Sequence, residues 1–157
     1  MAQKYTEAIS EAQYLTWHHD IGFIINCSFG NGLRINQKPE YKDVMIQAAK
    51  SLCTRFREKP QVIQSWDVKG NSWQSQRGWE CPVIIDNMMN LDLLFNVAKA
   101  TGDNKYKDIA IAMGVEGVED MTQEEYRKAA VDAVKKLSAD VGIPADLKEI
   151  VKEEDIQ

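Results

Sequence analysis

Hydrophobic positions along this chain recur mostly at helical spacing. Between Pro39 and Phe56 the run PEYKDVMIQAAKSLCTRF puts Tyr41, Val44, Met45, Ala48, Leu52 and Phe56 on one face, which predicts a helix over the whole stretch. Its basic residues gather near the end, where they suit the helix dipole. A second helix is predicted through VIIDNMMNLDLLFNVAKA, with Pro82 in its first turn and Gly102 as its stop. A third begins at Asp20 and carries Ile21, Ile24, Ile25 and Ser28, with Gly30-Asn31-Gly32 as an interrupting turn. Residues 61–80 break the pattern. QVIQSWDVKGNSWQSQRGWE reads as a short extended excursion or hairpin around Gly70-Asn71, rich in Gln, Ser and Trp.

Near the C-terminus the local grammar is explicit. Thr122 and Glu125 match a capping box, and Met121 with Tyr126 match the staple beside it. Tyr126, Ala130, Ala133, Val134, Leu137 and Val141 mark one apolar stripe. Gly142 stops that helix and Pro144 opens another. The predicted class is all-α.

Composition divides the chain. All four Trp, all four Phe, all three Cys and both His precede residue 106. Residues 1–105 carry 12 basic and 11 acidic side chains, whereas residues 106–157 carry 7 and 13. Two pieces of different history are implied, and one compact body is expected, because the shorter piece makes a poor core alone. The net charge of −5 argues against nucleic-acid binding. No apolar run approaches the ~20 residues of a membrane span, and no hydrophobic signal core opens the chain, so a cytoplasmic location is expected. Three widely spaced cysteines in apolar surroundings suggest reduced, buried thiols.

The chemical candidates begin with "WHHDIGF", residues 17–23. On a helix the side chains of His18 and His19 diverge by about 100°. With no third His and no Cys pair at ligand spacing, no metal is expected, and no cofactor. Asp20 reads either as a helix N-cap or as a functional carboxylate. Asp86 stands with Asn90 four residues on, in a helix apolar on nearly every side. That pair reads either as satisfied polar groups in the core or as a carboxyl in an apolar cleft, its proton held more tightly for acid catalysis near neutral pH. Trp66, Trp73 and Trp79 either line a sugar-binding groove or anchor their loop to the core.

Taken together, "LTWHHDIGFIINCSFGNGLRI", "YKDVMIQAAKSLCTRF", "QSWD" and "CPVIIDNMMNLDLLF" followed by "TGDNKY" resemble the unsaturated glucuronyl hydrolases, in that family's order, over residues 5–109. The resemblance implies helical hairpins of an α/α toroid. It also implies hydration of the 4,5-unsaturated uronic acid at the end of an oligosaccharide. A carboxylic acid protonates C4, water adds at C5, and the hemiketal opens to release the sugar. By this likeness Asp86 corresponds to the general acid/base and Asp20 to the second carboxylate. His19 and Trp66 fall where the family touches or stacks on the sugar. The resemblance starts inside the family's chain and stops before its end. The first hairpin and the later helices that complete the pocket are thus left out, and the implied activity is weak or absent.

Residues 110–157 resemble instead the helical C-terminal part of iron-dependent alcohol dehydrogenases, through "VGIPADL" and "KEEDI". They contain no His, so neither metal ligands nor dehydrogenase activity is implied. The chain reads as a chimera: a toroid fragment over 1–109 and a helical segment over 110–157. The alternative expectation is a non-catalytic helical protein. In either case exposed apolar faces point to a homodimer.

Overall fold

Pro39 at the first turn, Glu40 beside it and Lys50 in the last turn set the ends of α4 (Pro39–Cys53), the longest helix among the described residues of the computed structural model. The structure describes residues 1–113 and, beyond them, Thr122, Glu125, Lys128, Asp132 and Lys135. The chain divides into two compact units, Met1–Met113 and Gly114–Gln157. Each is described by itself.

In the first unit α1 (Ala2–Ala8) and a 3₁₀ turn (Ser10–Tyr14) lead to α2 (Ile21–Ile25). A π turn (Asn26–Gly30) continues directly into α3 (Asn31–Asn36). Gly30-Asn31-Gly32 therefore does not interrupt the helix, contrary to the expectation from sequence. Gly32 lies in a close crossing, where an added Cβ would come within 2.6 Å of the Tyr41 ring. The chain turns instead at Gln37, whose φ is 53°. A small antiparallel hairpin, β1 (Phe56–Arg57) and β2 (Val62–Ile63), follows α4. Then come α5 (Trp73–Gln76), a 3₁₀ segment (Ile85–Asn90), α6 (Leu91–Thr101) and α7 (Asn104–Ala112).

The core is a helical layer. Tyr41, Met45, Ala48 and Leu52 of α4 face Ile21, Ile25 and Phe29, and Leu91, Leu94 and Val97 of α6 close it. Tyr106, Ile109 and Ala110 of α7 are buried where that helix packs on α6 and also touches α4. The class is all-α, with two short strands among the described residues. Among the described residues no helix is long and apolar enough to cross a membrane.

Several boundaries differ from those expected. The helix predicted to Phe56 ends at Cys53, because Phe56 enters β1 and pairs with Ile63. The hairpin turns before Val62, with Gln61 at a φ of 55°, and not at Gly70-Asn71. Pro82 precedes the helical segment instead of opening it, and Asp86 sits on a 3₁₀ turn. That turn is not apolar all round, since Ile85 and Met89 are half-exposed. Gly102 does end α6, in the left-handed conformation expected of it. The cysteines are all free, but Cys27 is exposed and the other two are half-buried.

In the second unit the capping box forms as read. The Glu125 N–H donates to Thr122 Oγ1 (3.3 Å), and the Thr122 N–H donates to Glu125 Oε2 (2.7 Å). The Thr122 hydroxyl, which also donates to Glu125 Oε2 (2.7 Å), and then the Thr122 N–H hold the Glu125 carboxyl below its ordinary range. Lys128 and Asp132 pair one turn later. Met121, Tyr126, the apolar stripe from Tyr126 to Val141, Gly142 and Pro144 lie outside the described residues.

Candidate functional site

Three stretches far apart in sequence meet at one point: residues 17–20, residues 64–67 and the 3₁₀ turn that carries Asp86. A chain of buried amides joins them. Gly22 has no side chain, and Asn90 occupies the space a Cβ would fill, with Oδ1 2.3 Å from that position. Asn90 Oδ1 accepts the Phe23 N–H (3.2 Å), and Asn90 Nδ2 donates to Asn87 Oδ1 (2.9 Å). Asn87 Nδ2 then donates to the Ile63 carbonyl (2.6 Å) and to Ser65 Oγ (2.9 Å). Among the described residues Asn87 and Asn90 are the most deeply buried amides, 1% and 0% exposed. The sequence reading paired Asn90 with Asp86. The structure buries Asn90 and leaves Asp86 part-exposed beside His19, because a 3₁₀ turn does not bring residues four apart onto one face.

Arg55 is the second organiser. Its guanidinium is 2% exposed and donates to the carbonyls of Thr16 (2.9 Å), Gln64 (2.8 Å) and Ser65 (3.2 Å), and to Asp67 Oδ1 (3.2 Å). It thus ties the backbone just before Trp17-His18-His19 to the segment after β2 that carries Trp66. From sequence it read only as a cation suited to a helix end. Lys69, with Arg55 beside it, holds the Asp67 carboxyl below its ordinary range.

At the meeting point lies His19, 5% exposed. Its Nε2 is 2.9 Å from Asp20 Oδ1 and 3.4 Å from Asp86 Oδ1. Asp20 stands at the N-cap of α2 but makes no side-chain cap. Its carboxylate turns back to the histidines, with Oδ2 3.4 Å from His18 Nδ1. Residues 18–20 form a turn, so the helical reasoning that separated the two imidazoles fails here: the rings stack, 5.6 Å apart and 6° from parallel. Trp66 closes the other side, its ring 5.4 Å from that of His19 and edge-on to it. A file of aromatics then runs outward from Trp66 to Trp73 (6.4 Å) and Trp79 (5.4 Å), with the Arg77 guanidinium over both outer rings. The structure therefore brings Asp20, Asp86, His19 and Trp66 together. Asn87, Asn90, Ser65 and Arg55, which support them, were not singled out from sequence.

Chemically the cluster offers two carboxylates flanking one imidazole, open on the side of the part-exposed Asp86, beside an aromatic face. Such a set can deliver and recover a proton next to a bound ring. A surface groove of about 520 Å³ lies elsewhere, at Glu7, Lys38 and Tyr41. Its polar groups satisfy one another: Glu7 accepts from Lys38 (2.8 Å) and from the Tyr41 hydroxyl (3.1 Å).

Comparison with known proteins supports a glycoside hydrolase-like relation. The chain is similar to an unsaturated glucuronyl hydrolase from Formosa agariphila, 44% identical over 113 residues, covering 70% of this chain and 26% of that protein. In structure it is similar to an unsaturated glucuronyl hydrolase specific for heparin, with a TM-score of 0.62 at 32% identity, covering 78% of this chain and 31% of the other. A different likeness is to the lactaldehyde reductase of Escherichia coli, 55% identical over 88 residues, covering 55% of this chain and 21% of that enzyme. Two such likenesses on one chain fit a chimera. The two matched shares together exceed the chain, so the matched stretches overlap. The chain spans about a quarter of the length of the glucuronyl hydrolase relative. No family model matches it.

Proposed function

We propose that His19, Asp20 and Asp86 are the acid/base centre of a site that hydrates 4,5-unsaturated uronides at the end of an oligosaccharide. In this reading the Asp86 carboxyl gives its proton to C4 of the enol ether. The resulting carboxylate takes a proton from water as the oxygen adds at C5, which restores the acid. The hemiketal then opens and expels the next sugar. Asp20 and His19 position Asp86 and the substrate, and the Trp66 ring carries an apolar sugar face.

The observation that supports this best is the convergence of both carboxylates on His19 Nε2, at 2.9 and 3.4 Å, beside Trp66. The likeness to the Formosa agariphila hydrolase supports the same chemistry. The cluster is open to water on the Asp86 side, so the site holds a substrate with few fixed contacts. Positioning supplies much of an enzyme's rate, and the expected turnover is accordingly slow.

The test is to mix the purified protein with an unsaturated disaccharide cut from heparin and follow the enol-ether absorbance. A slow loss that Asp86→Asn abolishes supports the reading. No loss beyond the blank, or an equal loss with Asp86→Asn, overturns it.

A further inference from the structure

Beyond Trp66 the file of indoles leaves the acid/base cluster and opens to solvent. Trp66 is half-buried, whereas Trp73 and Trp79 are 50% and 44% exposed. A loop that only needed anchoring would bury its large rings, which stabilise a fold by leaving water. We propose that Trp73, Trp79 and Arg77 form a second subsite, which takes the sugars that follow the terminal uronide and reads an anionic group on them, sulfate or carboxylate. This rests on the uronide site proposed above, because the file begins at the Trp66 ring that carries the terminal sugar.

The shape of the file suits a chain of saturated rings. Trp73 is tilted 58° from Trp66, and Trp79 is tilted 70° from Trp73. One flat ligand cannot lie against all three faces at such angles. Sugar rings joined by rotatable bonds can, each offering an apolar face to one indole. The loop holds this arrangement before any ligand arrives. Ser72 Oγ accepts the Ser75 N–H (3.2 Å) at the start of α5, and the buried Gln74 accepts the Trp79 N–H at its carbonyl (3.1 Å). Gly78, at a φ of 72°, turns the chain so that Trp79 comes back onto Trp73. A platform already ordered loses little freedom on binding.

Charge selects among sugars. The Arg77 guanidinium lies 5.2 Å from the Trp73 ring and 5.4 Å from the Trp79 ring. Stacking on aromatic faces orients a guanidinium and leaves its N–H donors free at the rim. Among the described residues it meets these two rings and no carboxylate or carbonyl. Asp67, one of the two carboxylates in this stretch, is engaged by Arg55 and Lys69. Glu80, the other, is exposed and makes no ion pair with Arg77. An oriented cation beside two open rings fits a sugar that carries an anion, which accepts two parallel N–H bonds from the fork.

Calorimetry on the whole chain carrying Asp86→Asn, which removes the proposed proton donor, measures binding apart from chemistry. The probes are a sulfated unsaturated tetrasaccharide cut from heparin, the same compound desulfated, and the compound both desulfated and carboxyl-reduced. Arg77→Gln, at an exposed position, should weaken the sulfated probe at least about fivefold, a common loss for one interface anchor, and leave the neutral probe unmoved. A like loss with the desulfated probe assigns the contact to a carboxylate, and its absence there assigns it to sulfate. Trp73→Ala and Trp79→Ala should weaken all three probes. Arg34→Gln, the same change of charge on α3, should weaken none. No binding of the sulfated probe, an Arg77→Gln loss that is absent or equal for the neutral probe, or affinity left unmoved by both indole substitutions overturns the proposal. Turnover of the disaccharide without an Arg77 effect on binding removes the subsite alone. An Arg77 effect without turnover removes the uronide chemistry alone.

Discussion

Arg55 and His19 are both nearly sealed from solvent, at 2% and 5% exposed, yet their surroundings are opposite. Around Arg55 each of four acceptors faces a donor of the guanidinium, three of them backbone carbonyls. Around His19 three polar atoms crowd together without a hydrogen bond. The first arrangement is what a fold needs to hold two segments in register. The second costs the fold stability. The contrast separates the residues that hold this region together from those to which the proposed proton transfer is assigned, and substitutions at the two centres should move stability in opposite directions.

The largest effect is expected at Arg55. Arg55→Leu leaves the Thr16, Gln64 and Ser65 carbonyls without their donor and should lower unfolding stability by about 3 kcal/mol in a urea titration. Arg55→Lys should recover only part of it, since an ammonium cannot reproduce the planar fork. Next is Gly22→Ala, which forces a methyl group onto Asn90 and should cost about 2 kcal/mol by the same measurement. Asn87→Ala, which strips the Ile63 carbonyl and Ser65 of a partner, should cost about 1–2 kcal/mol. Asp86→Asn should reverse the sign. Removing one of two crowded carboxylates should raise the melting temperature by a degree or two, a gain under about 1 kcal/mol. If Asp86→Asn destabilises as much as Asn87→Ala, the distinction between the two centres fails.

The smallest expected effect concerns Cys53, which burial pushes up to about 11 from an ordinary value of 9.0. A thiol that keeps its proton more tightly in the folded state stabilises fully below the unfolded value. Its contribution is lost as pH rises from about 9 to about 11, since the unfolded chain releases the proton first. Between those values stability should fall with pH, and Cys53→Ala should flatten the slope. The exposed Cys27 should meanwhile react with an alkylating reagent well before Cys53.

Much of the helical framework is legible in the sequence, because Tyr41, Met45, Ala48 and Leu52 repeat at the helix period and Gly102 marks a stop. The capping box at Thr122 and Glu125 is legible for the same local reason. The convergence of Asp20, Asp86, His19 and Trp66 is not local. It was expected through a likeness to known proteins, not from spacing. Arg55, Asn87 and Asn90 escaped because a polar residue beside apolar ones looks the same whether it turns outward or inward. Only its distant partners, Thr16 for Arg55 and Phe23 for Asn90, decide which. The stacking of His18 on His19 escaped because periodicity was applied to a turn.

The amide chain from Phe23 through Asn90 and Asn87 to Ile63 has a kinetic consequence. Its two end bonds, Phe23 to Asn90 and Asn87 to Ile63, span 67 and 24 positions, so they cannot form until distant segments have already docked. His19, Asp20 and Asp86 should therefore gather late in folding, after the α4 and α6 helices have collapsed on each other. Quenching of the Trp66 emission by the nearby imidazole would then time the final step of that assembly.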